Sequence, residues 1–372
     1  MALTLDGTNG VTFFDTSLQG AAASPYVLKN RIINGAMVID QRNAGAAVTA
    51  TGSFPVDRFK MNNTTDGTFS AQQSSTVPSS GGFVNSVLVT VTSADTSLTT
   101  TQRLALQQTI EGYNIADLGW GTASAKTVTL SFWVRSSLTG TFSGSLRNSA
   151  GDRSYPYTYT ISTANTWELK SVTIAGDTSG TWLTTNGEGI ILFFSLGVGP
   201  SLLGTAGAWA GAGYWGATGE TSVVGTNGAT FYITGVQLEV GSTATPFERR
   251  LYNQELANCQ RYYQKTFNQS VVPGTASRPG LVQTVVVGSA GTAYSQIPLF
   301  VPMRTGPTIS IWDGNGNANA FSVFTSGAWT DNTTSSITSA NAGEMSWSVS
   351  YTGNPFSTGT RYMLHFSATA EL

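Results

Sequence analysis

The sequence predicts an all-β protein: a short N-terminal β segment, a jelly-roll-type β-sandwich, a short connecting α-helix and a smaller C-terminal β-sandwich. Three observations carry this expectation. Apolar and polar residues alternate at period two through most of the chain, the pattern of half-buried strands. Glycines, 42 of them, join Ser, Thr and Asn to punctuate these runs, with spacings of roughly 10–20 residues that suit a sandwich or jelly roll. Charge is scarce, at 10% of the chain, yet FERRLYNQELANCQRYYQK (247–265) gathers Glu248, Arg249, Arg250, Glu255, Arg261 and Lys265 and almost excludes Gly, Ser and Thr.

Residues 1–29 form an N-terminal segment whose first 25 residues alternate loosely around Asp6-Gly7 and Asn9-Gly10. So short a strand pair is not stable alone in water, so it is expected to pair with the body of the protein or with other copies. Residues 30–246 are expected to form the main sandwich. NRIINGAMVIDQRNAG (30–45) opens it as a β region. The clearest strand is KTVTLSFWVRSS (126–137), with Val128, Leu130, Phe132 and Val134 on one face and Thr129, Ser131, Trp133 and Arg135 on the other. Further strands are expected at 83–92, 103–112, 140–149, 154–162, 167–176, 189–198 and 230–240, and a Gly/Ala-rich loop at 204–220. Residues 247–265 form the helix: Tyr252, Leu256, Cys259 and Tyr263 recur at spacings of one stripe, Glu248 sits where an acid favours a helix start, and Arg261 and Lys265 where cations favour its end. The stripe either docks on the chain's own domains or serves as a self-association collar. Residues 266–372 carry about six further strands, an independent tip sandwich.

Length and charge exclude several functions. The 372 residues suggest two or three domains at about 100–200 residues each. Net charge is −2, with 18 basic and 20 acidic residues and no basic block, so the electrostatic footprint of nucleic-acid binding is missing. The start lacks the basic and apolar regions of a secretory signal, and no run reaches a membrane span. One cysteine, Cys259, permits no internal disulfide, and with one histidine, His365, no His/Cys zinc site forms. His365 is expected in a core or interface. Neither a nucleophile elbow nor a phosphate-binding loop is present, and no local pattern marks a glycosidase carboxylate pair. No cofactor is expected and no catalytic residue is assigned.

Aromatic residues on a weakly charged surface are the positive signal. A saccharide presents a flat C–H patch ringed by hydroxyls, which calls for an aromatic platform flanked by Arg, Asn, Gln or Asp. Trp133 and Arg135 share the polar face of their strand, with Arg147, Asn148, Asp152 and Arg153 as candidate partners, unless the 204–220 loop covers Trp133. Trp209, Tyr214 and Trp215 lie in that loop, where binding residues concentrate. Trp312 precedes the polar tip DGNGNANA (313–320), and Trp329 stands near Asp331 and Asn332 in a second expected loop.

Three segments resemble tailed-bacteriophage fibre proteins. LTLDGTNGVTFFDTSLQGAAAS resembles their N-terminal β motif. NRIINGAMVIDQRNAG with FPVDRFKM resembles the opening of the carbohydrate-binding-module-like jelly roll of such fibres. FYITGVQLEVGSTATPFERRLYNQELANCQRYYQKT resembles its closing strand and the following helix. The resemblance covers about residues 1–265 and implies a homotrimeric tail fibre or receptor-binding protein. Its N-terminal segment would attach to other virion proteins, Tyr252, Leu256, Cys259 and Tyr263 would form a trimer collar, and the distal aromatics would bind host surface glycans without catalysis. Such a protein assembles in the bacterial cytoplasm and resides in the virion. A purely structural appendage and a polysaccharide depolymerase are the alternatives. Calcium is common in such jelly rolls, but Asp57 and Glu239 alone fall short of its ligand number, so no metal is placed.

Overall fold

The computed structural model describes residues 4–6, 10–12, 18–19, 29–284, 292–325, 328–332, 336–352 and 361–372. Three short strands come first, β1 (Thr4–Asp6), β2 (Gly10–Thr12) and β3 (Leu18–Gln19), paired antiparallel as β1-β2-β3. The segment 30–58 was expected to begin the β region and instead consists of turns with isolated bridges. Its residues explain why: Asn34, Met37, Ala44 and Arg58 hold positive φ, which strand pairing does not accommodate. Asn34 also folds its amide back, accepting from Ile39 N and donating to the carbonyls of Ile39 and Asp57.

The main sandwich then follows as β4 (Lys60–Asn63), β5 (Thr68–Ser74), β6 (Ser86–Ser93), β7 (Arg103–Glu111), β8 (Val128–Ser136), β9 (Gly140–Arg147), β10 (Ser154–Ile161), β11 (Glu168–Ile174), β12 (Glu188–Val198), β13 (Leu203–Gly204), β14 (Gly216–Ala217) and β15 (Thr230–Val240). A front sheet has the order β11-β8-β15-β6-β5, and a back sheet the order β10-β9-β12-β7-β4. The chain crosses between the sheets repeatedly, as in a jelly roll. Inward residues follow the expected alternation: Val128, Leu130, Phe132 and Val134 of β8 meet Phe142, Leu146 and Phe194 of the back sheet in one core, with Phe132 edge-on to Phe194 at 5.1 Å.

The tip contains β16 (Tyr263–Lys265), β17 (Val282–Thr284), β18 (Thr292–Pro298), β19 (Thr308–Trp312), β20 (Phe321–Thr325), β21 (Ala328–Asn332), β22 (Ser336–Ala340), β23 (Ser346–Thr352) and β24 (Arg361–Thr369). Strand β24 pairs with β16, β17, β19 and β20, and β18-β23-β22 forms a second sheet. Trp347, Phe366, Tyr362 and Ile311 are buried in its core. Strands β21 and β22 were not expected; β21 places Trp329 on a strand rather than in a loop. Residues 285–289 of the expected strand at 281–289 lie outside the described residues.

Helix α1 (Tyr252–Gln260) is shorter than the expected 247–265, because Tyr263–Lys265 leaves it to pair with β24. Within the single chain the expected collar stripe is divided. Cys259 and Tyr263 are buried within the chain, while Tyr252 is 53% exposed and Leu256 is half-buried. The reason is electrostatic as well as apolar. Arg261 forms a two-pronged ion pair with buried Glu111 at 2.6 and 2.8 Å, and the Tyr262 hydroxyl donates to the same carboxylate at 2.6 Å. Burial alone would raise the Glu111 pKa, but these hydrogen bonds hold it below its ordinary value. Arg42 and Arg58 both pair with Glu371 and lie over the rings of Tyr263 and Tyr262 at 3.8 and 3.5 Å. The helix is therefore a docked connector locking the two β units together. Glu248 does not cap α1; its carboxylate accepts from Lys29 N and Asn30 N at 2.5 and 2.8 Å.

Candidate aromatic cleft on the front sheet

Strand β15 decides the shape of the front face. Phe231 and Ile233 point into the core, then the register shifts between Thr234 and Gln237, after which Val236 and Leu238 point inward. Such a bulge switches which residues face outward. Gly235 sits in it at φ 64°, and a Cβ there would lie 2.6 Å from the Phe83 ring and 3.2 Å from Trp133. Only glycine satisfies both the backbone and these two rings.

Beyond the bulge, the outward pair Gln237 and Glu239 holds the returning chain against the sheet. Glu239 accepts from Thr245 N at 2.8 Å and Thr245 Oγ1 at 2.6 Å, and Gln237 accepts from Glu248 N at 2.7 Å. The strap so fixed carries Phe247 and Arg249 to the edge of the sheet. Phe247 meets Phe83 edge-on at 5.2 Å. The Arg249 guanidinium lies 4.9 Å from the Phe83 ring and donates to Gly81 O.

These groups enclose a cleft of about 510 Å³, lined by Trp133, Ser131 and Leu169 on the sheet and by Phe83, Phe247 and Arg249 on the opposite side. That volume suits a small ligand. Leu169 is 58% exposed at its rim. Next along the same face, Arg135 pairs in register with Tyr232, lies 4.9 Å from its ring and donates to Asn165 O at 2.8 Å. Trp167 continues the row, edge-on to Tyr232 at 6.0 Å. The cleft offers flat aromatic walls, one cation and a hydroxyl. None of its lining residues is a carboxylate.

Of the sequence candidates, the structure keeps Trp133 and Arg135 on this face. The 204–220 loop does not cover Trp133; it lies over the back sheet. Arg147 is also on the back sheet, since β8 pairs with β11 and β15 and the chain changes sheets before β9. Its neighbours Asn148, Asp152 and Arg153 close a turn instead: Asn148 Oδ1 accepts from the N–H of residues 151, 152 and 153, and Arg153 pairs two-pronged with Asp177. Trp209 was expected to be exposed but packs with Trp120, Trp182 and Tyr155 at 5.2–5.4 Å and donates to Ala175 O at 2.7 Å. Tyr214 lies on Gly204, where a Cβ would strike its ring. Trp215 is 7% exposed, stacked on Phe193 at 3.9 Å.

In the tip, Trp312 is half-buried and edge-on to Phe267 at 5.7 Å. His365 is buried, stacked on Phe267 at 3.8 Å, with Nδ1 2.9 Å from Thr266 Oγ1; burial lowers its pKa. Trp329 is 39% exposed, and Arg278 lies over it at 4.8 Å while pairing with Asp331. Asp57 is engaged by Arg42 and Gln41; Glu239 holds the strap. Among the described residues no group of three or more His, Cys, Asp or Glu is arranged to hold a metal.

Phe83, Leu169, Phe247 and Arg249 were missed as site residues. Phe83 was assigned to a strand that begins only at Ser86, and Phe247 and Arg249 to the helix. The usable signal was Gly81-Gly82-Phe83 together with Phe247 next to Pro246, aromatics adjoining chain-turning residues.

No family model matches the sequence, and no curated protein matches it. Solved structures with partial likeness include the enzymatically active domain of a bacteriophage CBA120 tailspike protein, at 13% identity and TM-score 0.30. The match covers 58% of this chain and 22% of that one. A CBM4 structure follows at 15% identity and TM-score 0.28, covering 56% and 98%. The family 11 carbohydrate-binding module of a Clostridium thermocellum cellulosomal cellulase gives 12% identity and TM-score 0.27, covering 54% and 98%. TM-scores this low leave the fold to be defined by the chain's own topology.

Proposed function

We propose that this chain is a non-catalytic glycan-binding protein and that it works as part of a phage virion appendage. The observation that supports the first half is the open cleft of Trp133, Phe83, Phe247 and Leu169 with Arg249 and Ser131 at hand. Aromatic walls bury the C–H face of a sugar ring, while the guanidinium and hydroxyl meet its hydroxyls. Glycosidase chemistry needs two carboxyl groups about the scissile bond, and this lining supplies neither. The fibre-like segments of the sequence support the second half, and linked copies on a virion would turn weak single-site contacts into firm attachment. A homotrimer is part of this proposal, but its seam would use surfaces other than Cys259 and Tyr263; Leu251 and Tyr252, 75% and 53% exposed, remain outward.

Binding of the purified chain to bacterial surface glycans, displayed on an array or on whole cells, tests the reading. Trp133→Ala and Phe247→Ala are expected to weaken it at least about tenfold, the cost of losing one well-placed aromatic contact. Undiminished binding by both variants removes the cleft as the site. Released oligosaccharides on incubation with polysaccharide would turn the protein into a depolymerase. A monomer by light scattering would remove the trimer.

A further inference from the structure

The back sheet carries two arginines that, among the described residues, meet aromatic rings but no hydrogen-bond acceptor. Arg103 of β7 and Arg147 of β9 project from its outer face, and their guanidinium carbons lie 4.5 and 5.1 Å from the ring of Trp215. Among the described residues neither guanidinium has a hydrogen-bond or ion-pair partner, and the Nε of each is shut off from solvent. By contrast, Arg153 and Arg261 each grip a carboxylate, of Asp177 and Glu111, through two hydrogen bonds. Partly desolvated charges without partners are costly. The aromatic ring offsets part of that cost but fills none of the N–H donors.

We infer that Arg103 and Arg147, set against Trp215, form a site for the carboxylate of an acidic sugar. A planar guanidinium grips a carboxylate through two parallel N–H donors. The same face also presents polar side chains: Lys60 shares a cross-strand row with Gln107 and Phe193, and the Asn62 amide donates to Gln107 at 2.7 Å. Such a row suits the hydroxyls of the ring that bears the carboxylate. The Glu220 carboxylate on this face is already held by Ser143, Ser195 and Val198 N, so it does not neutralise the arginines. Burial lowers the pKa of both arginines, and at Arg147 the Arg103 charge lowers it further while Glu188 opposes the shift. A bound anion reverses that balance. The choice of a sugar as carrier rests on the glycan-binding proposal; the arginine pair does not involve the Trp133 cleft.

Titration calorimetry of the full chain with oligogalacturonate, its methyl ester and inorganic phosphate tests this. The free acid is expected to bind, and Arg103→Gln, Arg147→Gln and methyl esterification are each expected to weaken it about ten- to hundredfold, as loss of a charge-assisted hydrogen bond does. Trp133→Ala is expected to leave this affinity unchanged while weakening front-cleft ligands, which separates the two sites. Equal binding of acid and ester, no binding of the acid, or retained affinity in the R103Q/R147Q double variant would overturn the site. Phosphate binding as tightly as the uronate would overturn the sugar. Should the double variant unfold, Arg147→Lys decides: it keeps the charge but loses the fork, and unchanged affinity would refute two-pronged recognition.

Discussion

The two outer faces of the main sandwich are finished in opposite ways. On the front face the side chains satisfy one another: Gln237 and Glu239 bind the strap, Arg135 reaches Asn165 O, and what remains open is apolar and aromatic. On the back face a loop closes the apolar surface, with Trp215 stacked on Phe193 and Leu202 and Leu203 beside it, and what remains unsatisfied is charge. Each sheet has one face committed to a common core, so the difference arises wholly from the segments that return over them. A tryptophan at each outer face, Trp133 in front and Trp215 behind, therefore does not mean equal roles; whether a loop buries the ring decides whether it stabilises the protein or is free for a ligand.

The largest expected effect is at Trp215. Replacing it by Ala should destabilise the chain by about 3–5 kcal/mol, the range for a buried large aromatic, measured by urea unfolding. A loss under about 1 kcal/mol would mean that the loop does not close the back face. Next is Gly235→Val, where a side chain meets Phe83 at the positive φ of the bulge; a loss of about 2 kcal/mol or more is expected, with the front cleft distorted. Wild-type stability in that variant would show that the bulge does not shape the cleft. Trp133→Ala should cost only about 1 kcal/mol, since its ring is half-exposed, yet it should weaken glycan binding; the reverse pattern would make the front tryptophan the structural one.

The smallest effect concerns pH. Burial raises the Glu220 pKa, only partly offset by hydrogen bonds from Ser143, Ser195 and Val198 N. Its folded value lies above its unfolded value, so its contribution to stability is present below the unfolded pKa and is lost as pH rises through the folded one. Asp57, raised to about 6 chiefly by burial against the opposing pull of Arg42, has the same sign, whereas the lowered Glu111 contributes above the unfolded pKa and loses that contribution as pH falls. Glu220→Gln should therefore flatten the decline in unfolding midpoint on going from acid toward neutral pH. An unchanged profile would show that this carboxylate titrates normally.

The alternation of β8 was enough to assign the core face and to leave Trp133 and Arg135 outside. The spacing of punctuated runs foretold a nearly all-β chain of antiparallel sheets. Periodicity reports which way a side chain leaves its own strand, and that property is local. It does not report which strand lies alongside: β9 follows β8 in sequence yet belongs to the other sheet, and so Arg147 left the company of Trp133 for that of Trp215. Nor does it report what lies on top. The fate of Trp209 and Trp215 depended on where the 199–220 segment came to rest, and the fate of Cys259 and Tyr263 on Glu111, far away in the chain, drawing Arg261 and Tyr262 onto the sandwich. Local pattern determined the elements and their inward faces, because burying one apolar face per strand is a requirement of each strand alone. Tertiary structure decided which outward residues meet, because such meetings depend on contacts between segments that the order of residues leaves far apart.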